Sequence, residues 1–241
     1  MRAPFLIITA LVGVTVNVSV PAAYAPTVTF VTPPGATTSG PVDASATFIT
    51  SANQISVSLS NFQPNITDVA QALSDLSFVY SGSNLSGQLL SSSSGQEITV
   101  AGDGTFTTGG TVSTGWALSS PASNALLLNV LGTPIGPAHL IIGPPDAGSV
   151  YSNANGSIAG NGPHNRFLNQ SALFVISLAG ITDSTLITSA TFSFGTTDGA
   201  LLVPGVPSTV PIPGALPLFA TGLGALGLLG WRRKRKAVVA G

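Results

Sequence analysis

Five stretches of this chain place an apolar residue at every second position: Ala44, Ala46 and Phe48; Ile55, Val57 and Leu59; Leu126, Leu128 and Val130; Phe174, Ile176 and Leu178; Ala190, Phe192 and Phe194. Successive side chains of a strand point to opposite faces, so each stretch makes a strand with one dry and one wetted side. Asp103-Gly104 and Gly109-Gly110 read as hairpin turns. One segment departs from the pattern. Thr67 is placed to cap a short helix through Asp68–Leu73, with Asp68 near the positive end of its dipole. The sum predicts a mainly β chain: an antiparallel β-sandwich passenger with one short helix. A β-helix or solenoid would need a fixed repeat period, and none is present.

The wetted faces are covered by Ser, Thr, Asn and Gln rather than by ions. Charged residues make up 6% of the 241 residues, where about a quarter is usual. Their placement divides the chain. The bases are Arg2, Arg166, Arg232, Arg233, Lys234, Arg235 and Lys236; the acids are Asp43, Asp68, Asp75, Glu97, Asp103, Asp146, Asp183 and Asp198. An acidic middle with one arginine therefore separates two basic ends. Such a middle offers no footprint for nucleic acid, which needs clustered Lys and Arg. With no cysteine in the chain, disulfides and thiolate metal sites are excluded.

Both ends read as export and membrane segments. Arg2 precedes an apolar run, Phe5–Val16, and small residues close the segment at Ala22-Ala23-Tyr24-Ala25. This is the layout of a signal peptide over residues 1–25, with an apolar run too short to span a bilayer as a stop-transfer helix. Cleavage falls after Ala25, which fits the A-x-A pattern but leaves Pro26 beyond the cut, or after Ala22. At the other end no charge occurs from Val210 to Trp231. Leu216–Trp231 as a helix measures about 24 Å, and its Pro-containing lead-in brings it to spanning length. Trp231 falls at the interface, and Arg232, Arg233, Lys234, Arg235 and Lys236 form a stop that stays on the cytoplasmic side. The passenger then occupies residues 26–203 and faces outward, followed by a Pro-rich linker over 204–213.

A Pro-x-Pro signature, a short Gly/Leu-rich helix and a terminal basic cluster, in that order, resemble the PEP-CTERM sorting signal, most closely its VPLPA-CTERM variant. The resemblance covers residues 210–236. Val210, Pro211, Pro213, Ala215 and the cluster Arg232–Lys236 match; Ile212 stands where the main family has Glu, and Gly214 where the variant often has Ala. The resemblance implies an exported protein held in the inner membrane by its C-terminal helix and cut near the motif by an exosortase-type enzyme. It also implies a place at the cell surface or in the biofilm matrix, with exopolysaccharide as a partner.

Residues that carry chemistry are scarce between the ends. A Ser-His-Asp arrangement could draw only on His139 or His164, and no G-x-S-x-G elbow precedes a helix. His139 adjoins Leu140-Ile141-Ile142 and reads as strand-end packing; His164 reads as a solvated loop residue. Glu97, before Ile98-Thr99-Val100, reads as an exposed strand residue. Asp43, Asp103, Asp146, Asp183 and Asp198 sit beside small or hydroxyl residues, where Asp favours turns. Gly102-Asp103-Gly104 lacks the partner carboxylates a hard cation needs. No metal site, cofactor or catalytic set is therefore expected, and the chain reads as a structural or interaction protein rather than an enzyme. Two alternatives stay open. A carbohydrate-binding module would need Trp116, Tyr80 and Tyr151 as a stacking platform. A secreted hydrolase would need His164 and Arg166, both in the long loop Gly143–Ser171, to converge with an acid in one cleft. Sequons at Asn65, Asn84, Asn155 and Asn169 are expected by chance in so Ser/Thr/Asn-rich a chain.

Overall fold

The alternating stretches become strands. The computed structural model describes residues 27–82, 89–131, 139–162 and 164–208. The predicted signal segment with Ala22 and Ala25, the motif Val210–Ala215, the cluster Arg232–Lys236 and the sequon at Asn84 lie outside them. Among the described residues no helix is long and apolar enough to cross a membrane.

The described chain is mainly β. Its strands are β1 (Thr27–Val31), β2 (Ala44–Ser51), β3 (Gln54–Asn61), β4 (Leu73–Tyr80), β5 (Leu89–Val100), β6 (Phe106–Val112), β7 (Ala117–Ala122) and β8 (Ala125–Asn129). There follow β9 (Ile141–Ile142), β10 (Phe167–Ser177), β11 (Ile187–Phe194), β12 (Leu202–Pro204) and β13 (Val206–Pro207). They join in one sheet, in the order β12-β11-β4-β9-β10-β3-β2-β1-β13, with β5-β6 branching from β10 and β8-β7 from β4. Every pairing is antiparallel except that of β9 with β10.

The sheet doubles over, so that its two halves face each other. Phe48 of β2 meets Phe78 of β4 with ring centroids 4.9 Å apart, and Trp116 meets Phe174 of β10 at 5.2 Å. Every apolar member of the five alternating stretches is buried in this one core. Two short segments join the halves. Ile141 pairs with Leu73 on one side and Leu168 on the other. Opposite it, the run from β12 to β13 pairs first with β11 and then with β1. Gly205, between them, has no room for a side chain: a Cβ would stand 3.0 Å from Phe192 and 3.1 Å from the Ala190 carbonyl. Pro204 and Pro207, lacking N–H groups, suit these border strands.

Several local expectations give way to tertiary contacts. The helix expected at Asp68–Leu73 shrinks to a single 3-10 turn, Val69–Gln71, because Leu73 already belongs to β4 and points into the core. Its cap is Asp68 rather than Thr67, accepting from the Ala70 amide at 2.8 Å. Gly109-Gly110 is not a turn. Both lie within β6, where a Cβ on Gly109 would meet the Glu97 side chain at 3.0 Å, so this glycine serves a close approach. Asp103-Gly104 does turn the β5–β6 hairpin, with Gly104 at a φ of 81° beside the Tyr151 carbonyl. Residues 204–207, expected as linker, are bonded into the sheet.

Candidate functional site

The long loop holds the histidine, arginine and carboxylate that sequence reasoning weighed, and the structure sorts them differently. It is shorter than expected, because β10 begins at Phe167 and a one-turn helix, α1 (Gly156–Ala159), interrupts it. Asn155 caps α1 by accepting from the Ser157 amide at 2.8 Å. Buried Tyr151 and Ile158 pin the loop to the core. The Tyr151 hydroxyl donates to the Gly143 carbonyl at 2.8 Å, and burial pushes its phenol well above the ordinary range. Asn65 reaches across from the β3–β4 connection, donating to Ser152 Oγ at 3.0 Å and accepting from the Asn153 amide at 3.1 Å.

At the loop's end a cluster forms from Glu97, His139 and Arg166. His139 Nε2 stands 3.7 Å from Glu97 Oε1, and Arg166 Nη1 stands 3.9 Å from the same oxygen. The His139 side chain is 5% exposed, Glu97 18% and Arg166 68%, so the cluster runs from interior to solvent. His139 Nδ1 also contacts the Arg166 carbonyl, while its own carbonyl accepts from Trp116 Nε1 at 2.8 Å. Glu97 is thus partly buried and ion-paired, contrary to the expected exposed strand residue, because the β5 bulge beside it faces Gly109. The histidine that meets Arg166 and an acid is His139, not His164. His164 is half-buried in a turn, its amide bonded to the Asn161 carbonyl. His139 Nε2 faces Glu97 and its Nδ1 faces the Arg166 carbonyl. Its chemistry is that of a staple joining β5 to the start of β10.

The proposed stacking platform does not form. Trp116, Tyr80 and Tyr151 are each 1% exposed, so none presents a ring face to a ligand. The turn aspartates behave as the sequence suggests. Asp103 accepts from the Thr105 hydroxyl and amide, and Asp146 from Ser152 Oγ and the Gly148 and Val150 amides; these bonds, the hydroxyl ones first, hold both carboxyls below the usual range. Of the sequon asparagines, Asn169 donates to Gln96 Oε1 at 3.0 Å, and Asn65 and Asn155 are engaged as above. No group of three or more His, Asp or Glu that could hold a metal occurs among the described residues.

Sequence reasoning passed over Asp75, which is 2% exposed on β4. Its Cα partners are Asn129 on β8 and Ser193 on β11, so three polar side chains form a row on one face of the sheet. The β11–β12 connection, residues 195–201, covers the row. Ser193 Oγ donates to the Ala200 carbonyl at 2.6 Å, and Asn129 Nδ2 donates to Asp198 Oδ1 at 2.5 Å. Neither carboxyl oxygen of Asp75 has a partner in hydrogen-bonding geometry. The Ser193 hydroxyl and the amides of Gly199 and Val130 lie near enough only to ease its charge. Burial, with a smaller push from the Asp198 charge, raises the Asp75 carboxyl from 3.8 to about 6.

This shift has a definite sign. The folded chain holds the proton more tightly than the unfolded one, so folding is favoured below pH 3.8 and loses that advantage as pH rises through about 6. From Asp75 alone, the stability of the wild type is expected to fall by about 2–3 kcal/mol between pH 4 and pH 7. Asp75→Asn removes this fall; urea titrations of both proteins across the range measure it.

No family model matches the chain, and no curated protein matches it. Among solved structures it is similar to the group B streptococcus pilus 2b backbone protein, at 11% identity over 67% of this chain, with a TM-score of 0.23. The chain spans about half the length of that protein, 53% of it, and a likeness of this degree carries no argument about family or function.

Proposed function

We propose that this chain is an exported surface or matrix protein: an antiparallel β-sandwich passenger delivered by an N-terminal signal and held or sorted through a PEP-CTERM-like tail. Its role in this reading is structural, in contact with exopolysaccharide, and not enzymatic. The observation that carries it is the order of segments in the sequence: Val210-Pro211-Ile212-Pro213, an uncharged Gly/Leu-rich run, then Arg232–Lys236. Ile212 and Gly214 are the positions at which an exosortase-type enzyme would meet a departure from the family pattern.

The arrangement of the described residues supports this reading. β1 pairs with β13, and the Ser208 amide donates to the Thr29 carbonyl at 2.7 Å. The chain therefore enters at Thr27 and leaves past Ser208 at one end of one strand pair. In this reading the signal and tail segments continue from neighbouring ends of one strand pair, with Val210 two residues beyond Ser208, the last bonded amide among the described residues. A passenger joined to a membrane at that end presents the rest of its surface away from the bilayer. The surface is uncharged over most of its strands, which suits contact with neutral polymers more than with nucleic acid.

Truncation before Val210 removes the motif, the apolar run and the basic stop while leaving every described strand intact. The truncated chain is expected to leave the membrane fraction and appear in the medium or periplasm in soluble form. Retention of the truncated chain in the membrane at the wild-type level would contradict the anchoring role of the tail.

A further inference from the structure

The seam between β1 and β11 is covered over only part of its length, and the described chain ends while still running along it. β12 lies beside β11, moving from Ser193 toward Thr191, and the Gly205 amide donates to the Ala190 carbonyl at 2.8 Å. The run then crosses to β1. Val206 faces Val31, Pro207 faces Phe30, and the Ser208 amide donates to the Thr29 carbonyl at 2.7 Å. Each step carries it toward the first residues of β1 and of β11. Directly ahead lies a cleft of about 160 Å³, lined by Val28 of β1, Phe48 of β2 and Ile187 of β11, with Leu186, 57% exposed, beside them.

The lining suits an apolar occupant. It holds no charged residue, and its three hydroxyls are already engaged. Thr50 Oγ1 donates to the Thr185 carbonyl at 3.0 Å, Thr188 Oγ1 donates to the Val79 carbonyl at 3.3 Å, and Thr185 Oγ1 accepts from the Thr182 amide at 3.0 Å. A segment laid over such a cleft gains burial and dispersion contacts without stranding a polar group. The next residues on the path are Thr209, Val210 and Pro211, which lie outside the described residues. Continued in register, β13 sets Thr209 opposite Val28, Val210 opposite Thr27 and Pro211 opposite Pro26. The bond from Ser208 to Thr29 marks a hydrogen-bonded pair, and such pairs recur at every second residue, next at Val210 with Thr27. Thr209 and Pro211 then fall where no N–H is needed toward β1. Pro207, already in the strand, occupies the same kind of position. Both prolines thus turn their missing donors away from the ladder, and Thr209 and Pro211 share the face of Val28, which borders the cleft.

We propose that Thr209, Val210 and Pro211 continue β13 along β1 and close this cleft, the Val210 amide donating to the Thr27 carbonyl and the Thr209 methyl and Pro211 ring covering Val28 and Ile187. The occupant is the chain's own, and its seat is set by where the last bonded amide stands. The consequence for processing rests on the reading of residues 210–236 as a sorting tail. The motif then begins inside the sheet. An enzyme that cuts it must first peel these residues from β1, because cleavage of a paired strand follows the population of its opened form.

The chain contains no cysteine, so a pair introduced across the seam reports its register directly. Val28→Cys with Thr209→Cys sets the two Cα atoms about 4.5 Å apart at a non-hydrogen-bonded pair, within the span of a disulfide. In the full chain, purified in detergent and held under oxidised glutathione, this pair is expected to close within one molecule, read as a mobility shift that reductant reverses. Val28→Cys with Val210→Cys, whose side chains fall on opposite faces, is expected to close at least about tenfold more slowly. Failure of the first pair to close in a folded chain, or equal closure by both, would overturn the proposal. Since Val28 also packs against the core, hydrogen exchange of the unaltered full chain gives a reading free of substitutions. The Val210 amide is expected to exchange about 10²-fold more slowly than in an unstructured peptide, and unprotected exchange would overturn the proposal equally. Neither readout depends on delivery or cutting. A closed pair in a chain that is never exported would contradict the reading of the tail and leave the seat of these residues standing.

Discussion

Replacing Asn61 with alanine is expected to remove about 3–5 kcal/mol of stability and to lower Tm by roughly 10–15 °C. Asn61 is wholly buried at the end of β3. Its Nδ2 donates to the Gln71 carbonyl at 2.9 Å and the Ile141 carbonyl at 3.0 Å, and its Oδ1 accepts from the Gln63 amide at 3.1 Å. One side chain thus satisfies the backbone of the 3-10 turn, of β9 and of the β3–β4 connection, with the first two bonds wholly buried and the third partly so. Truncation orphans all three groups, each costing about 1–3 kcal/mol when buried and unpaired. The space cannot readily refill, since Gly143 is packed so closely that a Cβ there would stand 2.0 Å from the Gln63 carbonyl. Asn61→Asp tests the mechanism. It keeps the shape but cannot donate, so it is expected to be at least as damaging as alanine. Chemical denaturation of the three proteins decides the point; an aspartate variant as stable as the wild type would contradict the account of Asn61 as donor.

Trp116→Ala is expected to cost a similar amount, about 3–5 kcal/mol, by a different route. Trp116 is 1% exposed and lies against Phe174 across the core. Removing the indole opens a cavity where the two halves of the sheet meet, and the lost dispersion contacts are not recovered because the neighbouring strands are fixed by their ladders. Trp116→Phe separates packing from hydrogen bonding. It retains most of the volume but leaves the His139 carbonyl without the Nε1 donor now at 2.8 Å, an expected loss of about 1–2 kcal/mol. Thermal melts of the two variants should therefore be clearly distinct. Equal losses would show that the hydrogen bond, not the cavity, dominates at this position.

The alternating stretches were legible because burial on one face of a strand writes itself into the sequence at period two. Phe174 and Ile176 of β10 and Leu178 just past it are buried while Leu173, immediately before them, is 57% exposed, as strand alternation requires. Turn aspartates were legible for a similar reason: Asp103 and Asp146 bond residues two to six positions away. What remained hidden depends on partners far along the chain. Gly109 looked like a turn residue because its reason for being glycine, the Glu97 side chain, lies on another strand. Asp75 carried no local signal at all. Its burial is imposed by residues 195–201, and its character by Asn129 and Ser193 across two ladders. His139 and Arg166 met an acid only because β5 carries a bulge beside Glu97. The corner that joins Thr27 to Ser208 was likewise invisible, since Pro204 and Pro207 read as linker until their strand partners are known.

Export, anchoring and sorting are read together from the intact mass of the native protein, recovered from membrane, periplasmic and extracellular fractions of its own host. A short affinity tag fits the exposed turn at Asp183-Ser184, which lies between strands and away from the core. The expected species begins at Ala23 or Pro26 and is found outside the cytoplasm. The released form is expected to end within Val210–Ala215, with Arg232–Lys236 gone. A soluble cytoplasmic species that still carries both Met1 and Lys236 would contradict export, anchoring and sorting together.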